Sequence, residues 1–219
     1  MPETFHVTRG GAPLTLALSP TVTATKVSVG PGDNNAYLLD GGAGLLLVDA
    51  ADDAATLLDL LGERPLATIV TTHRHRDHWA ALAALAGRSE RLVAGRPDAE
   101  AIAEGAGVPT PDGVWDGDAV ALGTEQLEVV GLVGHTPGSI VLAYRGPEGP
   151  THLFTGDSLF PGGPGKTWSP ADFDSLIDDL EAKVFNRFAD DTVVHPGHGD
   201  ATTIGTERPH LGEWRARGW

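Results

Sequence analysis

The segment that most constrains this chain is Thr71-Thr72-His73-Arg74-His75-Arg76-Asp77-His78. It follows an apolar run, Ala67–Val70, and precedes an Ala/Leu-rich stretch, so it reads as a strand-to-helix loop. In an extended loop, residues two apart point the same way, so His73 and His75 converge on one ion. Asp77 and His78, just beyond them, turn towards a second. Imidazoles suit Zn2+ or Fe2+, and a carboxylate adds charge compensation. The bland alternative is a polar surface loop, and the rest of the chain speaks against it.

Three more candidate ligands sit in Gly-rich turns, each at the end of an apolar run. His135 lies in Val133-Gly134-His135-Thr136-Pro137-Gly138-Ser139, Asp157 in Phe154-Thr155-Gly156-Asp157-Ser158-Leu159-Phe160, and His198 in Val194-His195-Pro196-Gly197-His198-Gly199. Glycine lets the backbone approach closely where a side chain must be aimed inward. One such turn alone means little, whereas four strand ends carrying metal-type groups form a pattern.

The remaining patterning gives those turns their context. Val22–Val29, Ala36–Leu39, Leu45–Val48, Ala67–Thr71 and Leu92–Ala94 read as strands, and Asp52–Leu61, His78–Ala86 and Pro97–Glu104 as helices. Gly105–Asp118, rich in Gly, Pro and Asp, reads as a midpoint connection. Strands follow at Ala119–Leu122, Leu127–Val130, Ile140–Tyr144 and His152–Thr155, then a Pro/Gly loop over Phe160–Trp168. Ser169, Pro170 and Asp172 signal a helix start, and Phe173, Leu176, Ile177, Leu180 and Val184 make its apolar stripe. Thr192–His195 reads as the last strand, with helix from Thr206 to the C-terminus. The expectation is an α/β chain of two similar halves, sheets inside and helices outside, folded as one domain over residues 1–219.

Composition removes several classes. The 219 residues contain no cysteine, which excludes a disulfide framework, a thiol nucleophile and thiolate metal ligands. Thirty Asp and Glu against fifteen Lys and Arg leave a formal charge of −15, so no nucleic-acid partner is expected. No leader-like start and no long apolar run occur, so no membrane partner is expected and the protein is read as soluble and cytoplasmic. Oligomeric state is not legible.

The set THRHRDH, GHTPGS, FTGDSLF and HPGHG resembles the metallo-β-lactamase-fold hydrolases, most closely their glyoxalase II-like branch. The motifs run from about residue 70 to 200 and the earlier strands fit as well. The resemblance implies a four-layer αββα sandwich with metals at one edge of the two sheets. It implies that His73, His75 and His135 hold one metal, that Asp77, His78 and His198 hold a second, and that Asp157 bridges them. Two Zn2+ per chain are expected, iron being the other candidate. Two such ions share a hydroxide that attacks a substrate carbonyl. Asp77 is placed to orient that hydroxide or take its proton, making it the candidate catalytic residue. Two cations, two ligand carboxylates and one hydroxide sum to about +1, so a small anionic substrate is expected despite the acidic chain. The implied reaction is hydrolysis of a small thioester or ester, a thiol conjugate first. The alternatives are a mononuclear-iron persulfide dioxygenase, with iron on a site like His73, His135 and Asp157, and a lactonase.

Asp49 ends the strand Leu45–Val48, where the family often has an Asp that props the metal loops; its other reading is a cap for the helix near Asp52. Lys166 lies where glyoxalase II-like proteins carry a basic residue that grips a thiol-conjugate carboxylate, or it is a solvated loop lysine. Trp168 and Phe160 line a pocket or anchor the loop. His195, His152, His6 and His210 read as structural or ordinary. Gly165-Lys166-Thr167 fails as a phosphate loop because position 160 is Phe, and Ser139 is not in a Gly-x-Ser-x-Gly elbow. Two departures from the family bear on substrate. The stretch after His198 is too short for the helical domain that supplies glutathione contacts in full-length glyoxalase II, and His78 is followed by Trp79-Ala80-Ala81 in place of a Gly-containing continuation.

Overall fold

The computed structural model describes residues 5–218; the two ends of the 1–219 span, including the Trp219 end of the expected C-terminal helix, lie outside them. Among the described residues, β1 (Leu14–Ala17), β2 (Thr23–Ser28), β3 (Asn35–Asp40), β4 (Leu45–Val48), β5 (Leu66–Thr71), β6 (Ser89–Gly95) and β7 (Asp112–Val114) form a seven-stranded sheet in sequence order. Its pairing is antiparallel from β1 to β4 and parallel from β4 to β7. A second, six-stranded sheet contains β8 (Ala119–Leu122), β9 (Glu125–Leu132), β10 (Ser139–Tyr144), β11 (His152–Gly156), β14 (Val193–Pro196) and β15 (Thr202–Thr203). Two short strands, β12 (Leu159–Phe160) and β13 (Gly163–Pro164), pair with each other between β11 and the helices that follow.

The layers follow from alternation along the strands. In β4, Leu45 and Leu47 face the outer cluster with Leu57, Leu61, Leu82, Leu85 and Ile102, which lie on α1 (Ala54–Leu61), α2 (Leu82–Leu85) and α3 (Ala99–Ala106). Leu46 and Val48 face the other way, onto Val129, Ile140, Leu142 and Phe154 of the second sheet. In β10, Val141 and Ala143 point outward to Phe173, Leu176 and Ile177 of α4 (Pro170–Asp179) and to Trp214. A period of two on strands buried on both faces therefore gives helix, sheet, sheet, helix. This is the expected αββα sandwich.

The element boundaries differ in instructive places. Asp53, in the left-handed region at φ 46°, caps α1 by accepting from the Thr56 N–H, so this helix does not use Asp49 as its cap. The expected helix over His78–Ala86 is a 3-10 turn at Arg76–His78 followed by the short α2. The midpoint connection hides β7, which extends the first sheet, and the Pro/Gly loop hides the β12–β13 hairpin. Ser169 does cap α4, with Pro170 in the first turn, but the helix passes into a π-helical turn over Leu180–Phe185. After β15 come α5 (Ile204–Glu207), a 3-10 turn at Arg208–His210 and α6 (Leu211–Arg217). No helix among the described residues is long and apolar enough to cross a membrane.

Candidate metal centre

All seven candidate ligands meet at one edge of the sandwich. Four come from the loop after β5 (His73, His75, Asp77, His78), and three from turns that follow β9, β11 and β14 (His135, Asp157, His198). His73 Nε2, His75 Nδ1 and His135 Nε2 lie 2.9 to 3.2 Å from one another. Asp77, His78 and His198 form a second group whose donor atoms lie within 4.8 Å of each other, and His73, His78 and Asp157 form a third. Asp157 stands between the first two. Its Oδ1 is 3.3 Å from His78 Nε2, and its Oδ2 is 3.4 Å from His198 Nε2 and 3.7 Å from His135 Nε2.

The outward-facing hydrogen bonds fix which nitrogen of each ring carries a lone pair. His135 Nδ1 donates to the Lys166 carbonyl at 2.7 Å, and His198 Nδ1 to the Gly32 carbonyl at 2.7 Å. His78 Nδ1 donates to Asp49 Oδ2 at 2.8 Å. The Thr72 hydroxyl donates to the same Asp49 oxygen, which leaves its own oxygen to accept from His73 Nδ1 at 3.1 Å. In the neutral form of these four rings the inward Nε2 is therefore the basic atom. Lone pairs facing one another about 3 Å apart repel unless a cation sits between them, and ligands about 2 Å from a tetrahedral ion are separated by about this distance. Asp157 Oδ1, buried with only the His78 ring 3.3 Å away, adds an anionic acceptor at the centre. The donor set thus fits divalent metal.

Electrostatics divides the cluster in two. Burial, with the neighbouring imidazoles, holds His73 well below the ordinary histidine range; His75 is lowered to about 4 by burial and by His135. Burial also lowers His135. At the second group burial pulls the same way, but carboxylates outweigh it. Asp157 and Asp49 raise His78 well above its ordinary value, and Asp157 and Asp77 raise His198 to about 10. The His198 hydrogen bond holds Asp77 well below the usual carboxylate range. Burial pushes Asp157 up, yet His78 and His198 leave it well below that range.

Asp49 is buried at φ 60°, an unfavourable conformation for a residue with a side chain, and its carboxylate takes three donors: the Thr72 N–H at 2.7 Å, the Thr72 hydroxyl and His78. Lys166 extends over the Trp168 ring, 4.4 Å from its centroid, and Trp168 stands edge-on to His75 at 6.3 Å. Trp168 is 66% exposed, and a cleft of about 370 Å3 lies beside it, lined also by Pro170, Phe173 and Arg215. Phe160 tilts against His198 at 6.2 Å. His195 and His152 lie away from the ligands, stacked and buried with Phe154, and His6 and His210 are exposed.

Two residues here escape a reading of the sequence alone. Asn34 donates to both the backbone oxygen (3.1 Å) and Oδ2 (3.0 Å) of Asp77, and Thr72 links Asp49 to His73. Asn34 belongs to the turn signal Gly30-Pro31-Gly32-Asp33-Asn34, but nothing in that signal points towards residue 77.

Comparison with known proteins points to one family. The profile described as the metallo-beta-lactamase superfamily matches residues 29–198. A hydroxyacylglutathione hydrolase of Anaeromyxobacter dehalogenans is 37% identical over 76% of the chain, although the match spans only 61% of that relative's length. The hydroxyacylglutathione hydrolase GloC of Haemophilus influenzae is 30% identical, over 80% of the chain and 89% of the relative. Among solved structures, TTHA1623 in a di-iron-bound form is 33% identical with a TM-score of 0.68, covering 84% of this chain and 96% of that one.

Proposed function

Since the chain belongs to the metallo-beta-lactamase superfamily, and its inward lone pairs form two adjoining ligand groups, we propose that it is a dinuclear metal-dependent hydrolase of small thioesters. The convergence of seven donor side chains, with Asp157 between the two groups, is the observation that carries this reading. His73, His75 and His135 would hold one cation and Asp77, His78 and His198 the other, with Asp157 within reach of both. A His and carboxylate set of this kind takes Zn2+ or Fe2+, with zinc the first choice here. When bound, two such cations supply an ionised water at neutral pH and polarise a substrate carbonyl.

The protein's own residues do the rest. Asp77, kept ionised and clamped by Asn34, is half-exposed at the cluster, where its carboxylate would accept a hydrogen bond from the attacking hydroxide and orient it. Asp49 fixes the ring of His78 and, through Thr72, that of His73. The Lys166 ammonium, parked on exposed Trp168 beside His75, is available to a carboxylate on the thiol part of the substrate. The relatives named hydroxyacylglutathione hydrolase make a glutathione-type hydroxyacyl thioester the first substrate to try.

The test is elemental analysis of protein purified without added metal, joined to a thioester panel that includes a hydroxyacylglutathione. Near two zinc per chain, with thiol release abolished in His75→Ala, is the expected result. Near one iron per chain, with oxygen consumed on a persulfide, replaces hydrolysis by persulfide oxidation. Two metals with turnover of lactones alone would retain the centre and discard the thioester.

A further inference from the structure

Beneath the three-histidine group lies a carboxylate that the function above does not use. Asp98 sits just before α3, and its side chain is completely buried. A single oxygen, Oδ2, accepts from two loops at once: the Arg74 N–H at 3.0 Å and the Thr136 hydroxyl at 2.6 Å. Arg74 is the residue between His73 and His75, and Thr136 follows His135. The Ser139 hydroxyl in turn donates to Thr136 Oγ1 at 2.7 Å, which commits the threonine proton to Asp98. Oδ1 accepts nothing among the described residues, the nearest cationic atom being Arg74 Nε at 3.9 Å. Burying an anion is unfavourable unless donors compensate it, and the Arg74 N–H and Thr136 hydroxyl do so here.

The backbone around it leaves no slack. A Cβ on Gly138 would lie 2.5 Å from the Asp98 nitrogen, and one on Gly95 would lie 2.0 Å from the Gly138 carbonyl oxygen. The turn after β6 and the turn after β9 are therefore in backbone contact, and the first sheet is tied to the second at this point. Nearby, the Ile140 N–H donates to the Thr72 carbonyl at 2.9 Å. His73 and His75 belong to one sheet's loop and His135 to the other's. Their mutual spacing is set by whatever joins those loops, and Asp98 Oδ2 joins them within one residue of each ligand.

We propose that Asp98 is a positioning residue that fixes the spacing of the His73–His75–His135 metal site by hydrogen-bonding both ligand loops through one carboxylate oxygen. It acts through the loops and touches neither metal nor substrate. The inference rests on the three-histidine site of the function proposed above, without depending on the substrate.

Co2+ titration of metal-free protein against a competing chelator, followed by the visible absorption of bound cobalt, tests it. The phase that disappears in His135→Ala is the three-histidine site. Asp98→Ala is expected to weaken that phase by about 10- to 100-fold and alter its band, leaving a second phase nearly unchanged. Asp98→Asn, which retains an oxygen at Oδ2, is expected to restore wild-type affinity and spectrum. Thr136→Val, losing one of the two bonds, should give a smaller loss at the same phase, and it serves as the readout if Asp98→Ala does not fold. Equal loss at both phases, no loss at either, or failure of Asp98→Asn to rescue overturns the proposal. Wild-type protein that takes up no cobalt sinks the metal reading along with it, whereas wild-type binding matched by every variant sinks this inference alone.

Discussion

At the scale of single residues, Asp49 concentrates the most consequence. Its carboxylate satisfies two groups of Thr72 and one of His78, all buried. Asp49→Ala leaves three donors without acceptors, so stability should fall by about 3 kcal/mol or more in urea unfolding, with metal affinity down about 10- to 100-fold. A second prediction concerns protons. In metal-free protein at neutral pH, His78 and His198 are protonated and His73, His75 and His135 are not. Metal entering the second group must expel protons, whereas metal entering the three-histidine group expels almost none. Acid therefore weakens the second group first. Dialysis at pH 8, 7 and 6 followed by elemental analysis should show metal content falling from about two towards one per chain; equal loss from both groups would contradict the assignment of charge. Lys166 shows two roles in one residue, since its backbone carbonyl orients His135 while its side chain lies on Trp168.

At the scale of elements, the ligand-bearing turns are crowded rather than flexible. A Cβ on Gly165 would lie 1.7 Å from the Asp157 carbonyl oxygen, and one on Gly197 would lie 2.5 Å from both Asp157 Oδ1 and His78 Cε1. Gly165→Ala should force the loop after β13 away from Asp157 and His135, reducing metal content several-fold while far-UV circular dichroism stays native-like. Unchanged metal content would show that the loop can shift without disturbing the ligands. These turns are legible in the sequence because each joins an apolar strand to a Gly and a metal-type side chain within a few residues, as at Phe154–Asp157. The elements that escape it lack that local contrast. β1 is half-exposed on alternate residues, β7 spans three residues, and β12 and β13 span two each. Asn34 and Asp98 are hidden for a different reason. Each is one polar residue in a turn, and its meaning comes from a partner tens of residues away, which no spacing rule reports.

At the scale of the whole molecule, acid acts on the fold as well as on the centre. His152 Nδ1 and His195 Nε2 lie 3.0 Å apart in the buried layer with Phe154, where burial lowers His152 to about 4 and pulls His195 well below its ordinary value. Both groups stay neutral in the folded chain, while in the unfolded chain they titrate near 6.5. As pH drops below that value the unfolded state gains protons that the folded state refuses, and stability is lost between about pH 6.5 and 4. At about 1.4 kcal/mol per pH unit for each group that refuses its proton, His152 alone should contribute a loss of about 3 kcal/mol over that window in metal-free protein, with His195 adding to it. His152→Leu should lessen that loss relative to wild type in urea unfolding at a series of pH values. The division of ligands between the two sheets has its own consequence, in time. The first four ligands are synthesised by residue 78, but the second group is incomplete until His198 has been added and β14 has paired with β11. If the chain takes two cations as proposed, no growing chain short of that point could hold both, so full loading would come late, to a fold whose sheets have already met.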